Sequence, residues 1–461
     1  MFWSENANYA GFKGNQPGAI PDFELWGRPV DGASAGTPVR ISNAAGSDVF
    51  PSAAVDASGN VWVAWQGWRE GKAQIFSAVQ NGDTFSAPAT VAASKGNEWN
   101  PAIAAAGTGG RVTVAWDTYR NGNYDVMMRT FSGGKWGPEM AAASSARYEA
   151  HPSIAYAPDN RLWLAYEVGS EKWGKDWGAD ESSGVSLYQG RAVHVRAFEP
   201  DGKPLSTAMD VGSVLPGPAA AAVDGAGLQK DSAGWLQPDP ERWKNRPRAL
   251  ATPGFHAAKN SYPRLLADSS GRVWLAFRSS HPTWWNSLGT VWTEYVTSYA
   301  GGAWTGASYL HHSDAVLDSR PALVSPEAGS LMMIASSDGR REFEAVRGQR
   351  ARGSVVEDPY NFDLYVHTLT LGPAARPAEL AAAPPPSAPA MADSPEQSQI
   401  AAMRAARVAG KYRIARGEFH RHSEVSADGQ NDGSIVSVRP TPGDYGFERA
   451  AAHRAGVSCA T

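Results

Sequence analysis

The chain has 461 residues, a formal net charge of -4 and a single cysteine, Cys459. That length suits one large repeat domain with an appendage, the lone cysteine excludes a disulfide within the chain, and the slight acidity gives no reason to expect a nucleic-acid partner. No apolar run reaches the ~20 residues a membrane span needs. The opening Met1-Phe2-Trp3-Ser4 has neither the basic start nor the apolar stretch of a signal peptide, so an exported protein is expected to be represented by a mature or truncated form.

In chain order, residues 23–30 and 38–42 read as the outer two strands of a first β-unit. Five fuller units follow, each opened by a proline: Pro51, Pro101, Pro152, Pro263 and Pro321. Behind each proline comes a short apolar strand, then a turn, then a second apolar, often Trp-bearing strand at residues 61–65, 112–116, 162–166, 273–277 and 331–335. These second strands are apolar enough to be buried on both faces. Third strands alternate more, as in residues 125–131, 192–198 and 363–369, and Gly-bearing turns lead to outer strands near Trp136 and Trp304.

Self-similarity at roughly 50 residues built from strands and turns is the signature of radially repeated sheets, with each opening proline on an inner edge strand. The expected fold is all-β, a β-propeller of four-stranded blades over residues 1–372. At least five blades are visible, six is the favoured count, and seven also fits, because residues 211–253 have no assigned partner.

In such a blade the start of the first strand and the end of the second share one rim, so distant residues meet at a channel mouth. Just before each proline stand Phe50, Asn100, His151, Tyr262 and Arg320; two positions further back stand Asp48, Glu98, Glu149, Asn260 and Asp318. Directly after the second strands come Gln66, Asp117, Glu167, Arg278 and Ser336, and the loops above carry Trp173 and Trp285 among other aromatics. A polar mouth flanked by aromatics suits a glycan or peptide ligand, and Asn100, Asp117, His151, Glu167, Tyr262, Arg278, Arg320, Trp173 and Trp285 are the candidate contacts. Structurally, the same polar residues could simply solvate loops while the tryptophans brace neighbouring blades.

The alternative is catalysis at this mouth: Glu149 and Glu167, near His151 and Arg278, are carboxylates placed for acid/base work on a glycosidic bond. The repeat is similar to the sialidase-like, six-bladed type. Its turns, Asp56-Ala57-Ser58-Gly59-Asn60-Val61-Trp62 and Asp268 to Trp274, space Asp, Gly and Trp more widely than sialidase repeats do, so Asp and Gly are read as serving turn geometry.

From residue 373 to 393 the chain is a Pro/Ala-rich linker, expected to be extended and polyproline-like. Residues 394–461 then begin with a capped helix at 397–408, ended by Gly410, and a short strand at 411–415. Next comes Gly417-Glu418-Phe419-His420-Arg421-His422-Ser423, followed by Ser426-Ala427-Asp428-Gly429. Two histidines at i and i+2 on a strand point the same way and can share one metal ion.

This stretch resembles the start of the PHP (polymerase and histidinol phosphatase) family of metal-dependent hydrolases. The resemblance implies a distorted β/α barrel in which His420 and His422 ligate a divalent metal such as Zn, Mn or Fe. It covers about residues 413–434, and residues 435–461 supply no further ligand motif, so the segment is expected to be a truncated hydrolase domain without phosphoesterase activity. The sequence thus predicts a bacterial propeller that binds a ligand or acts as a scaffold, coupled in full-length relatives to a PHP-type phosphoesterase, in the periplasm or outside the cell.

Overall fold

The computed structural model describes residues 1–6, 22–121, 123–169, 191–216, 259–286, 289–315, 320–338 and 363–386, together with the short strand pairs 229–230 with 236–237 and 408–409 with 412–413. Among them six antiparallel sheets of three to five strands follow one another along the chain. The first consists of Phe2–Asn6, Phe23–Gly27 and Val39–Arg40, so the two outer strands read from the sequence gain a third from the N-terminus. The second is built on Asp48–Val55, Val61–Arg69, Lys72–Asn81 and Ala89–Ala92. Glu98–Ala105, Val112–Thr118, Asp125–Ser132 and Lys135–Ala143 make the third, and Glu149–Tyr156, Leu162–Val168, Ala192–Phe198 and Pro204–Thr207 the fourth. The fifth is led by Lys259–Ala267, Val273–Asn286 and Gly289–Ala300, and the sixth holds Ala322–Val324, Ser330–Ser337 and Asp363–Thr370. This is an all-β propeller of predominantly four-stranded blades.

No single core holds these sheets together; each consecutive pair seals its own apolar interface. Side chains alternate along a strand, so Val63 and Trp65 pack toward the first sheet with Leu25 and Ile41, whereas Trp62 and Ala64 pack toward Val114 and Trp116 of the third. The same two-sided burial makes Val112–Thr118 and Leu162–Val168 buried at every position, including the polar Thr113, Asp117, Thr118 and Glu167. Trp163, Phe277, Tyr299 and Trp304 fill the joint between the fourth and fifth sheets, and Trp274, Leu331 and Met333 the joint between the fifth and sixth. Burying one such large apolar side chain contributes about 2 kcal/mol. Because the fourth and fifth sheets pack directly on each other, the doubled interval between Pro152 and Pro263 separates adjacent blades.

In the second and fifth sheets the turn at the far end of the inner hairpin is built by an aspartate. Asp268 accepts hydrogen bonds from the amides of Ser270 (2.9 Å) and Arg272 (3.1 Å), from the Trp274 indole (3.1 Å) and from the Gly329 amide of the sixth sheet (2.9 Å). Asp56 does the same locally for Ser58, Asn60 and Trp62. Gly59 and Gly271 sit at φ of +84° and +83°, a region closed to most side chains by backbone sterics. The wide Asp-Gly-Trp spacing therefore positions the indole to reach back to the turn carboxylate.

Two details depart from the sequence reading. Four of the five opening prolines lie inside their strands, three or four residues from the start, at a register shift between Val49 and Ser52, Trp99 and Ala102, Ala150 and Ser153, and Ser261 and Arg264, whereas Pro321 stands just before Ala322–Val324 as read from the sequence. A proline has no amide to give the ladder, so the strand bulges past it instead of beginning there.

The Pro/Ala linker also differs. Leu371 donates to Gly329 O, Ala374 to Ser270 Oγ and Glu379 to Gly301 O, and Leu380–Ala382 pairs with Pro204–Thr207 as a fifth strand of the fourth sheet. The extended chain thus finds partners along the turn ends of three sheets, and its backbone groups are satisfied there. Val408, expected to end a helix, lies instead in Val408–Ala409, which pairs antiparallel with Tyr412–Arg413.

Candidate functional site

Four successive sheets place the residue before their proline in the left-handed region: Phe50 (φ 55°), Asn100 (φ 50°), His151 (φ 53°) and Tyr262 (φ 47°). A residue preceding proline is steered toward extended backbone, and a non-glycine residue in this region costs about 1–3 kcal/mol. The strain is held by the bulge, which inserts the strained residue and its proline opposite the end of the second strand. Each bulge so brings a side chain next to the polar residue that ends the second strand.

In the third sheet Asn100 Nδ2 donates to Asp117 Oδ2 at 3.1 Å. In the fourth, His151 Nδ1 stands 3.0 Å from Glu167 Oε1, within ion-pair reach though poorly aligned for a hydrogen bond. The fifth sheet reaches into the same place. The Tyr262 amide donates to Glu167 Oε1 at 2.7 Å, the Ser261 hydroxyl donates to the same oxygen, and the Tyr262 ring lies 4.5 Å from the His151 ring. From the sixth sheet Arg320 places its guanidinium 4.3 Å above the Tyr262 ring. Asn100, Asp117, His151, Glu167, Tyr262 and Arg320, named from four separate stretches of sequence, therefore form one continuous chain of contacts and fields.

The two carboxylates in it are driven apart. Burial pushes the Asp117 carboxyl up to about 6, against the pull of His151, Asn100 and Arg320. Burial would raise Glu167 too, but the His151 charge and Arg191 more than offset it and leave that carboxyl at about 2. Asp117 is 1% exposed, and its Oδ1 has no hydrogen-bond partner among the described residues. An unmatched buried carboxylate oxygen is costly, in keeping with burial being the main cause that raises this carboxyl.

The other named residues have different surroundings. Glu149 accepts from the amide and hydroxyl of Ser145 at 2.7 and 2.9 Å. It occupies the position held by Asp48, which accepts from the Trp65 indole and Arg69, and by Glu98, which accepts from the Trp116 indole and Arg120. These three acids brace the loops and second strands behind the mouth. Arg278 is wholly buried, 2.7 Å from Glu294, and also donates to the carbonyls of Trp292 and Ser313. Trp285 lies on Val273–Asn286, its backbone opposite Thr290. Trp173, His420 and His422 fall outside the described residues.

Residues not singled out from sequence complete the mouth. Arg191 approaches Glu167 at 3.8 Å, and Arg264 lies two positions beyond Tyr262. A row of rings, Trp99 on Tyr124 (5.3 Å), Tyr119 on Tyr124 (5.1 Å) and Tyr124 on Tyr148 (5.2 Å), runs between the third and fourth sheets. Trp99 and Tyr119 each flank a named residue by one or two positions, which is the signal that would have found them.

No protein-family model matches the chain, and no curated protein matches it in sequence. Among solved structures it is similar to a protein of unknown function from Dyadobacter fermentans (9% identity, TM-score 0.37, covering 65% of this chain and 77% of that one). It is also similar to an ulvan lyase of polysaccharide lyase family PL25 (12%, TM-score 0.40, 68% and 71%) and to the sialidase of Trypanosoma rangeli (10%, TM-score 0.38, 73% and 50%). Likeness this distant assigns neither activity nor site residues to this chain. Among the described residues no helix is long and apolar enough to cross a membrane. No group of three or more His, Cys, Asp or Glu side chains among them could hold a metal ion.

Proposed function

We propose that the propeller is a glycan-binding module whose ligand enters the mouth lined by Asn100, Asp117, His151, Tyr262 and Arg320. The observation that carries this reading is the buried, unpartnered Oδ1 of Asp117, an acceptor for a sugar hydroxyl set beside aromatic rings. Tyr262 and the half-buried Trp99 and Tyr124 offer flat surface for sugar rings, and Asn100 and His151 add directional polar contacts. Glycan-array binding by the full chain tests it: Asn100→Ala and Tyr262→Ala each weaken retention of the bound glycan at least tenfold. Unchanged retention in both variants would remove the mouth as the binding site.

A second reading has its own support, the separation of the two carboxyls. A group that keeps its proton to about pH 6 beside one ionised above about pH 2 is the arrangement of an acid and a fixed anion. In this reading the propeller is a glycoside hydrolase, and Asp117 protonates the leaving oxygen. Release of reducing ends that declines above pH 6 and vanishes in Asp117→Asn would favour it over binding alone.

The C-terminal resemblance to metal hydrolases rests on the residues around His420 and His422, and no step of the proposed function passes through a metal. Divalent metal retained in proportion to protein and lost on replacing both histidines would support that segment as a metal site. Export to the periplasm or beyond belongs to the same proposal and is checked by cell fractionation.

A further inference from the structure

The outer edges of the sheets differ. In the second to fifth sheets the third strand is paired on its outer side: Lys72–Asn81 by Ala89–Ala92, Asp125–Ser132 by Lys135–Ala143, Ala192–Phe198 by Pro204–Thr207, and Gly289–Ala300 by Ala303–Trp304. In the sixth, Asp363–Thr370 pairs with Ser330–Ser337 on its inner side, and among the described residues no strand covers its outer side. The chain leaving Thr370, where a fourth strand would turn back, runs instead across the fifth sheet and becomes the extra strand of the fourth.

The strand left at this edge has none of the features that keep sheet edges apart. It contains no proline, glycine, lysine or arginine, and its ladder has no bulge. Its even-numbered side chains form an uncharged face: Leu364 is 74% exposed and Val366 62%, with Thr368 exposed beside them. Ile334 opposite Val366, Met332 opposite Thr368 and Val324 opposite Met332 extend that face inward. Tyr365 and Leu369 turn the other way, Tyr365 onto the His312 ring (4.7 Å) and Leu369 into the joint with the fifth sheet. The strand is therefore held on one edge and one face and open on the other two.

We infer that this edge takes the same strand of a second copy, paired antiparallel about a twofold axis at Val366. A twofold contact has to be self-complementary, and this strand is. With Val366 opposite its own equivalent, Leu364 falls opposite Thr368, Tyr365 opposite His367 and Asp363 opposite Leu369. No charge meets its like, and the two uncharged faces merge into one. A slip of one residue sets the outward Leu364 against the inward Leu369, and centring on His367 sets two histidines against each other. The third strand starts at the mouth end, with Asp363 opposite Ser337, so the pairing turns the two mouths in opposite directions. One strand pair with its flanking face is at the small end of specific interfaces, so the dimer forms as concentration rises.

The test measures the mass of the full chain by light scattering and sedimentation across the micromolar range. The expected result is a mass rising toward that of two chains, with Val366→Lys weakening association at least tenfold while melting as the parent does. In a Cys459→Ser background, Val366→Cys should give a disulfide-linked dimer on mild oxidation, because the two copies of that position face each other. Val55→Cys, on the second sheet and 60% exposed, should not.

A single-chain mass at every concentration, a dimer that Val366→Lys leaves intact, or assemblies growing beyond two chains would overturn the inference. So would a monomer in which the amides of this strand that point away from Ser330–Ser337 exchange slowly, the result expected if another segment of the same chain covers the edge. If Val366→Lys melts early, Leu364→Lys provides the second measurement. The same tenfold weakening is expected of it, and unchanged association would again refute the pairing.

Discussion

Replacing Asp117 by asparagine should make this protein more stable at neutral pH. The folded carboxyl gives up its proton at about 6, whereas an unfolded chain does so at 3.8. Between those values the native state holds a proton that the unfolded state has released. Stability therefore falls as pH rises through this window and stays lower above it, by about 3 kcal/mol. Asparagine removes the ionisable group but keeps a carbonyl oxygen that can accept from Asn100 Nδ2, now 3.1 Å from Asp117 Oδ2.

The variant is expected to gain about 2–3 kcal/mol over the parent at pH 8 and little or nothing at pH 4. Urea unfolding at the two pH values, followed by tryptophan fluorescence, measures both. Because the other oxygen, Oδ1, is the proposed ligand acceptor and becomes an amide nitrogen in asparagine, the more stable variant should also lose glycan binding, the trade expected where a site keeps a destabilising group for function. Equal stabilities at pH 8, or one constant difference at both pH values, would show that the buried carboxylate is not strained as argued.

Glu167 carries the opposite sign. Its folded value of about 2 lies below the unfolded 4.5, so its contribution, about 3 kcal/mol, is complete above pH 4.5 and disappears as pH falls toward 2. Glu167→Gln should cost about 2–4 kcal/mol at pH 7 by stranding Arg191, and less than half of that at pH 3; a cost independent of pH would contradict the pairing. Asp268→Ala should cost about 2–4 kcal/mol, since it leaves the Trp274 indole and the Gly329 amide of the neighbouring sheet without their acceptor. Asp56→Ala, whose bonds stay within one turn, should cost about 1 kcal/mol. Matching losses in the two variants, read by chemical denaturation, would refute the inter-sheet role of Asp268.

The repeat was legible because its physics is local. A second strand such as Val112–Thr118 sits between two sheets and is therefore rich in apolar residues on both faces, and an Asp-Gly turn with a following Trp closes its own hydrogen bonds. The candidate mouth was legible by position, since the residue before each proline and the residue ending each second strand share a rim by the geometry of a hairpin. Position did not reveal bonding. Glu149 and Glu167 look equivalent as rim acids, yet one is held by Ser145 and the other joins two sheets through Ser261 and Tyr262. Arg278 reads as a mouth residue, and its guanidinium is instead buried against Glu294 because its own third strand supplies that acid.

Sequence by itself determined the repeating strand pattern and the order of the Pro-led sheets while leaving their total between five and seven, because strand period, turn chemistry and the absent proline amide act over a few neighbouring residues. Only the tertiary structure decided which charges are neutralised, since Arg191, Ser261 and Arg320 reach the mouth from other blades. It also decided that the Pro/Ala segment returns to pair with Pro204–Thr207, a contact across some 175 positions that no local pattern encodes.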